Sequence, residues 1–168
     1  MSKTTYNVLV LCTGNSARSI LGEALFNHLG QGRIRAYSAG SQPSGKVNPV
    51  ALETLEKHGV PLPEARSKSW DEFAAPGAPE IDYIFTVCAS AAGETCPVWI
   101  GHPTTAHWGI PDPAHVEPMS ARVEAFEVAY QQLESRIKAF LALPLETMSA
   151  ADIKAAAKRI HEEAAAQE

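Results

Sequence analysis

The segment Cys12-Thr13-Gly14-Asn15-Ser16-Ala17-Arg18-Ser19 sets a thiol and a guanidinium on one short loop, with Gly14 and Asn15 between them. A loop of this composition can curl so that successive backbone N–H groups point into one concavity, because Gly and Asn tolerate dihedrals that most residues avoid. Such a cradle fits a tetrahedral oxyanion. Arg18 adds a bidentate fork for two of the anion's oxygens, which the point charge of a Lys does less well. The same donors lower a thiol from its ordinary pKa of about 8.5 into the range of roughly 3.5 to 7.5, so Cys12 is expected to be a nucleophilic thiolate at neutral pH. Ser19 is expected to give its hydroxyl proton to that sulfur. The expected anion-binding set is therefore Thr13, Gly14, Asn15, Ser16, Ala17, Arg18 and Ser19. Further along, Pro111 and Pro113 stiffen a loop around Asp112, presenting one carboxylate at a fixed angle. Two more cysteines stand apart from these residues: Cys88 ends the run Tyr83-Ile84-Phe85-Thr86-Val87, and Cys96 precedes Pro97.

Such groups need elements to hold them. Tyr6 to Leu11 is a near-continuous aliphatic run of the kind found in strands buried on both faces of a parallel sheet. After the polar loop, Ile20, Leu21, Ala24, Leu25, His28 and Leu29 recur at helical spacing, and Gly30 offers a C-terminal stop. Arg33 to Tyr37 reads as a second strand ending at Ser38-Ala39-Gly40. Pro49 then opens a helix carrying Val50, Leu52, Leu55 and His58 before Gly59. A short helix around Ser69 to Ala74, a strand from Tyr83 to Val87 and a long helix from about Ser120 to Leu143 follow; the long helix bears Val123, Phe126, Tyr130, Leu133, Ile137 and Phe140. This alternation predicts a small parallel sheet with helices on both faces, whose ligands bind where strands hand over to helices. Ser149-Ala150-Ala151-Asp152 opens an Ala-rich helix anchored only by Ile153 and Ile160, which predicts a loosely docked helix or a flexible tail. The expected organisation is one domain over residues 1–145 and a C-terminal helical extension over 146–168.

Composition bounds what such a site can serve. The chain has 168 residues, 45% hydrophobic and 20% charged, which suits one globular domain and excludes disordered or low-complexity readings. Its longest apolar runs, such as Val8 to Cys12, fall far short of the roughly 18 residues a membrane span requires. The first residues lack the apolar core of a secretory signal, so a cytoplasmic location is expected and no membrane partner. A net charge of −5 argues against a nucleic-acid partner held by phosphate neutralisation, although a small anion can still bind locally. Three cysteines in such a chain point to catalysis, metal binding or redox chemistry rather than a disulfide framework. They lack the C-x2-C pairing of structural zinc sites, and the six histidines show no ligand spacing, so no metal or cofactor is expected.

The loop from Cys12 to Ser19 resembles the phosphate-binding loop of the low-molecular-weight protein tyrosine phosphatases and of the arsenate reductases built on that fold, and its wording is nearer the reductases. The resemblance covers roughly residues 6 to 143 and implies a four-stranded parallel sheet flanked by helices, with Asn15 holding the loop's shape and Ser38 and Glu23 supporting it. The family often has a second Cys at the position of Ala17, which this chain lacks. In the reductases a motif Cys-x-x-x-Ala-x-x-x-Cys-Pro follows the strand, and Cys88 to Pro97 is similar to it. The string His107-Trp108-Gly109-Ile110-Pro111-Asp112-Pro113 also resembles the reductases and implies that Asp112 is the general acid. The phosphatases usually place an aromatic residue after Asp-Pro to wall a phosphotyrosine ring; Ala114 stands there and favours a small inorganic substrate.

The resemblance thus implies an enzyme that reduces arsenate to arsenite with catalytic residues Cys12, Arg18, Asp112, Cys88 and Cys96. Cys12 attacks arsenate, Cys88 attacks the Cys12 adduct, and Cys96 takes the disulfide onward. Thioredoxin is the expected reductant, with glutaredoxin and glutathione as the alternative. Two rival readings use the same loop: a phosphomonoester hydrolase, which needs only Cys12, Arg18 and Asp112, and an oxyanion-sensing binding module.

Overall fold

The computed structural model describes residues 5–62, 66–87 and 103–167. The aliphatic run forms β1 (Tyr6–Cys12), which stands inside a four-stranded sheet of order β2-β1-β3-β4, with β2 at Ile34–Gly40, β3 at Tyr83–Thr86 and β4 at Thr104–His107. Every pairing is parallel, as the alternation of strands and helices requires. Along β1 the side chains alternate between two cores. Val8, Val10 and Cys12 face a large cluster containing Phe26, Phe85, Trp108 and Phe140, while Leu9 and Leu11 face a smaller one built on Trp70, Phe73 and Ile84. Burial on both faces is why the strand reads as continuous rather than alternating hydrophobicity.

The large core is roofed by four helices. These are α1 (Arg18–Gly30), α2 (Pro49–Lys57), α4 (Met119–Leu141) and α5 (Ala150–Gln167). The opposite face carries the single turn α3 (Asp71–Ala74), which seats Phe73. Asn48 caps α2 by accepting the Val50 amide at 2.9 Å, with Pro49 in the first helical position. Arg33 closes the far end of α4, donating to the Leu141 and Leu143 carbonyls at 2.6 and 2.9 Å.

Three local expectations change. Gly30 is the last residue of α1, but the left-handed conformation that closes the helix falls one position later, on Gln31 at φ 45°. Glycine is required at position 30 for space, because a Cβ there would lie 2.6 Å from the Cβ of Ile34. Leu52 and Val123, read as core-facing, are 38% and 42% exposed.

The third change is α5, expected to be loose. It packs on β4 and α4, burying Ile153 and Ala157 within the main core and Ala156 beside them in sequence. Its start matches the sequence, since the Ser149 hydroxyl accepts the Asp152 amide at 3.1 Å. Small alanines let the helix approach closely, so the few large side chains understated its anchoring. Among the described residues no helix is long and apolar enough to cross a membrane.

Candidate active site

Cys12 ends β1 opposite Gly40 of β2, buried at 6% exposure. The loop that follows is pinned from outside. The Thr13 carbonyl accepts the Gln42 amide at 3.0 Å, the Gly14 carbonyl accepts the Ser44 amide at 3.0 Å and the Ser67 hydroxyl at 3.1 Å, and the Ser16 carbonyl accepts the Asn48 amide at 2.8 Å. In a trans peptide the N–H points opposite to the carbonyl of the same unit. Holding those three carbonyls outward therefore turns the N–H groups of Gly14, Asn15 and Ala17 the other way, into the pocket. Ala17 at the N-cap of α1 has no side-chain oxygen to occupy the first-turn amides, and that turn carries no acidic residue. Those donors and the helix dipole are thus directed at an anion rather than at a cap.

Asn15 fixes the bend. It sits at φ 45°, fully buried, its Oδ1 accepting the Lys68 amide at 2.8 Å and its Nδ2 donating to the Ser19 hydroxyl at 2.8 Å. As acceptor in that bond, Ser19 keeps its own hydroxyl proton to give. Gly40 makes room from the other side, since a Cβ there would stand 2.4 Å from the Thr13 carbonyl oxygen. Beneath the loop lies an ionic cluster: Ser38 donates to Glu23 at 2.7 Å, and the Lys68 ammonium lies 3.7 Å from the same carboxylate while donating to the Arg66 carbonyl at 3.0 Å. Burial raises the Glu23 pKa, with the Ser38 bond and the Lys68 charge opposing it. Burial likewise lowers that of Lys68, with Glu23 opposing. The Ser38 bond first and the Lys68 charge second favour the ionised form of Glu23, and Glu23 in turn favours that of Lys68.

Arg18 links this loop to the Asp112 loop. Its Nη1 donates to the Ile110 carbonyl at 2.9 Å and its Nη2 lies 3.5 Å from Asp112 Oδ2, while its buried Nε has no hydrogen-bond partner among the described residues. A guanidinium steered by two fixed groups, with one donor uncommitted, suits a fork awaiting oxygen ligands. Asp112 turns its Oδ1 back to accept the Ala114 amide at 2.9 Å and keeps a side chain 39% exposed. His115 Nε2 stands 3.9 Å from Asp112 Oδ2. Residues 12–18, Ser44, Asn48, Asp112, Ala114 and His115 line one pocket of about 410 Å³.

Cys12, Thr13 to Ser19 and Asp112 are thus brought together as the sequence implied, with Glu23 and Ser38 beneath them. Cys88 and Cys96 lie outside the described residues. Val87, immediately before Cys88, donates to Leu11 O at 2.9 Å and accepts the Ile110 amide at 3.1 Å, so it lies between the end of β1 and the Asp112 loop. Sequence reasoning missed Lys68 and Ser67, the Ile110 carbonyl, and the pocket residues Ser44 and Asn48. The run Ser67-Lys68-Ser69 had only its polarity before a short helix to signal it. Among the described residues no cluster of three or more His, Cys, Asp and Glu side chains is placed to hold a metal ion.

The fold and the site together define a class. Residues 7–159 match the family model of the low molecular weight phosphotyrosine protein phosphatases, and the chain belongs to that family. Within it, an arsenate reductase of Bacillus licheniformis is 35% identical over 142 residues, covering 83% of this chain and 96% of that protein. An arsenate reductase of Shouchella clausii is 31% identical over 134 residues, covering 79% and 93%. Among solved structures, an arsenate reductase in its phosphate-binding state aligns with TM-score 0.67 at 25% identity, over 82% of this chain and 98% of that one. The resemblance read from the loop between Cys12 and Ser19 holds, and the family match extends past it into α5.

Proposed function

We propose that this chain reduces arsenate to arsenite. The observation that carries the reading is Cys12 at the floor of a pocket faced by the Gly14, Asn15 and Ala17 amides and by Arg18, with Asp112 at 3.5 Å from that guanidinium. The arsenate reductases among its relatives and the small Ala114 after Asp112-Pro113 favour arsenate over an aryl phosphate.

In this reading the loop amides and Arg18 hold the oxyanion over the Cys12 thiolate. Sulfur attacks arsenic, and Asp112 protonates the departing oxygen, which leaves as water. Cys88 thiolate then attacks the Cys12 sulfur. The sulfur–arsenic electron pair passes to arsenic, which goes from the +5 to the +3 state and departs as arsenite, while the two sulfurs lose two electrons and join as a disulfide. Cys96 attacks Cys88, releasing Cys12 and forming a Cys88–Cys96 disulfide, which thioredoxin reduces in the cytoplasm, where thiols are kept reduced.

The deciding experiment follows arsenate-dependent NADPH oxidation with thioredoxin and thioredoxin reductase, and in parallel with glutaredoxin, glutathione and glutathione reductase. Turnover with the thioredoxin pair that vanishes in Cys88→Ser is the expected result. Turnover only with the glutathione pair replaces the reductant, and a Cys88→Ser protein that still hydrolyses phosphomonoesters while neither pair supports arsenate turnover replaces the reaction by hydrolysis.

A further inference from the structure

The acid loop is held from a direction that the reaction scheme does not use. Trp108 follows β4 directly and precedes Asp112 by four residues. Its backbone continues the sheet, donating to the Thr86 carbonyl at 2.7 Å, and Ile110 does the same to Val87 two residues on. Its ring is fully buried, 4.2 Å from Phe85 between centroids and beside Phe26 and Phe140. A ring needed only to fill that aromatic nest would serve as well without a polar atom, because a buried N–H that finds no acceptor costs free energy. The indole finds one on another element: Nε1 donates to the Ala157 carbonyl of α5 at 2.9 Å. Ala156 and Ala157, both buried, keep the helix surface low enough for that approach, and Ile153 is buried one turn before Ala157.

We infer that α5 is a positioning element for the acid loop, acting through the bond from Trp108 to Ala157. The path is short and covalent from there on. Trp108 fixes the start of a segment whose Ile110 carbonyl steers Arg18 and whose Asp112 carboxylate faces the same guanidinium. Thr86, Val87 and α5 anchor that segment on its route to the pocket. Trp108 is accordingly a positioning residue, and α5 is part of the working enzyme. The catalytic consequence rests on the reading of Asp112 as general acid; the mechanical one does not.

The test uses the full-length chain. Trp108→Phe keeps an aromatic ring but removes the N–H together with the second ring of the indole, whereas Ile153→Ala loosens α5 and leaves the indole whole, so only an effect the two variants share is read as the work of the contact with α5. Amide hydrogen exchange is measured first. Both variants are expected to speed exchange of the Ile110 and Ala114 amides about fivefold, the equivalent of roughly one hydrogen bond, while amides of β1 keep their wild-type rates. Uniform acceleration, or none at Ile110 and Ala114, overturns the inference.

Arsenate turnover is measured second. Trp108→Phe is expected to lower kcat about fivefold with KM for arsenate changed less than about twofold, and to cost almost nothing more when Asp112 is already Asn, because effects passing through one group do not add. A full additional loss in the Asp112→Asn background overturns the catalytic half. A wild-type protein that turns over no arsenate overturns the functional reading instead, and hydrogen exchange alone then decides whether α5 positions the loop.

Discussion

The two loops that meet at Arg18 are built to different standards. The anion loop has three carbonyls bonded outward, a buried Asn15 bonded at both ends of its amide, and an ionic cluster beneath it. The acid loop has two prolines, two ladder bonds to the end of β3 and one indole bond to α5, and it leaves the Asp112 side chain 39% exposed. The difference matches what the proposed reaction would ask of each. Electrostatic stabilisation of a developing anion works only if the donors are already in place and do not reorganise. A general acid must recover a proton from solvent each cycle and tolerates, indeed needs, contact with water.

Arg18 belongs to both loops, so disturbing it should break the contrast most. Arg18→Lys keeps the charge and loses the fork, together with the bonds that join the loops. Arsenate kcat/KM is expected to fall about a thousandfold, measured by steady-state kinetics.

Asp112→Asn sharpens the contrast. It removes the acid and leaves the anion loop intact, so kcat is expected to drop about a hundredfold while KM for arsenate holds or falls, because Arg18 loses a competing carboxylate. A KM that rises in step with the loss of kcat would show that the acid loop also forms the binding site.

The smallest effect concerns the support under the anion loop. Lys68→Met leaves Glu23 buried without its cation and is expected to destabilise the protein by about 2 kcal/mol at neutral pH. Burial already holds the folded-state pKa of Glu23 above its ordinary value of 4.5, and the substitution raises it further. Folding then favours the protonated carboxyl. The stability of the variant should be best at or below pH 4.5, relative to wild type, and decline as pH rises through the folded-state pKa. Chemical denaturation at several pH values measures this, and a gap that widened toward acid would contradict it.

What the sequence disclosed follows the same division. The anion loop is eight consecutive residues at a strand-to-helix junction, so its chemistry is local and Cys12, Arg18 and the amides between them were readable without a partner. Asp112 was readable because two prolines flank it and because its surroundings resemble the family's. The remainder arrives from a distance. Lys68 reaches Asn15 across a separation of 53 residues, the Ile110 carbonyl reaches Arg18 across 92, and neither has a local pattern to announce it. β4 gave no strand signal because Thr104-Thr105-Ala106-His107 lies at the sheet edge and buries only Ala106. The docking of α5 escaped notice because alanines contribute by allowing approach, which a count of large apolar side chains does not register. Gly30 was legible as special but for the wrong reason, since crowding against Ile34 rather than handedness selects it.

The cradle around Cys12 is faced by N–H groups, from the Gly14, Asn15 and Ala17 peptides and from Arg18. Hydrogen donors of this kind register charge and the spacing of four oxygens and are blind to the atom at the centre. Phosphorus and arsenic oxyanions, alike in both respects, must therefore be welcomed almost equally, and any preference between them has to arise after docking, from the ease with which a chalcogen can draw the central atom into a lower oxidation state.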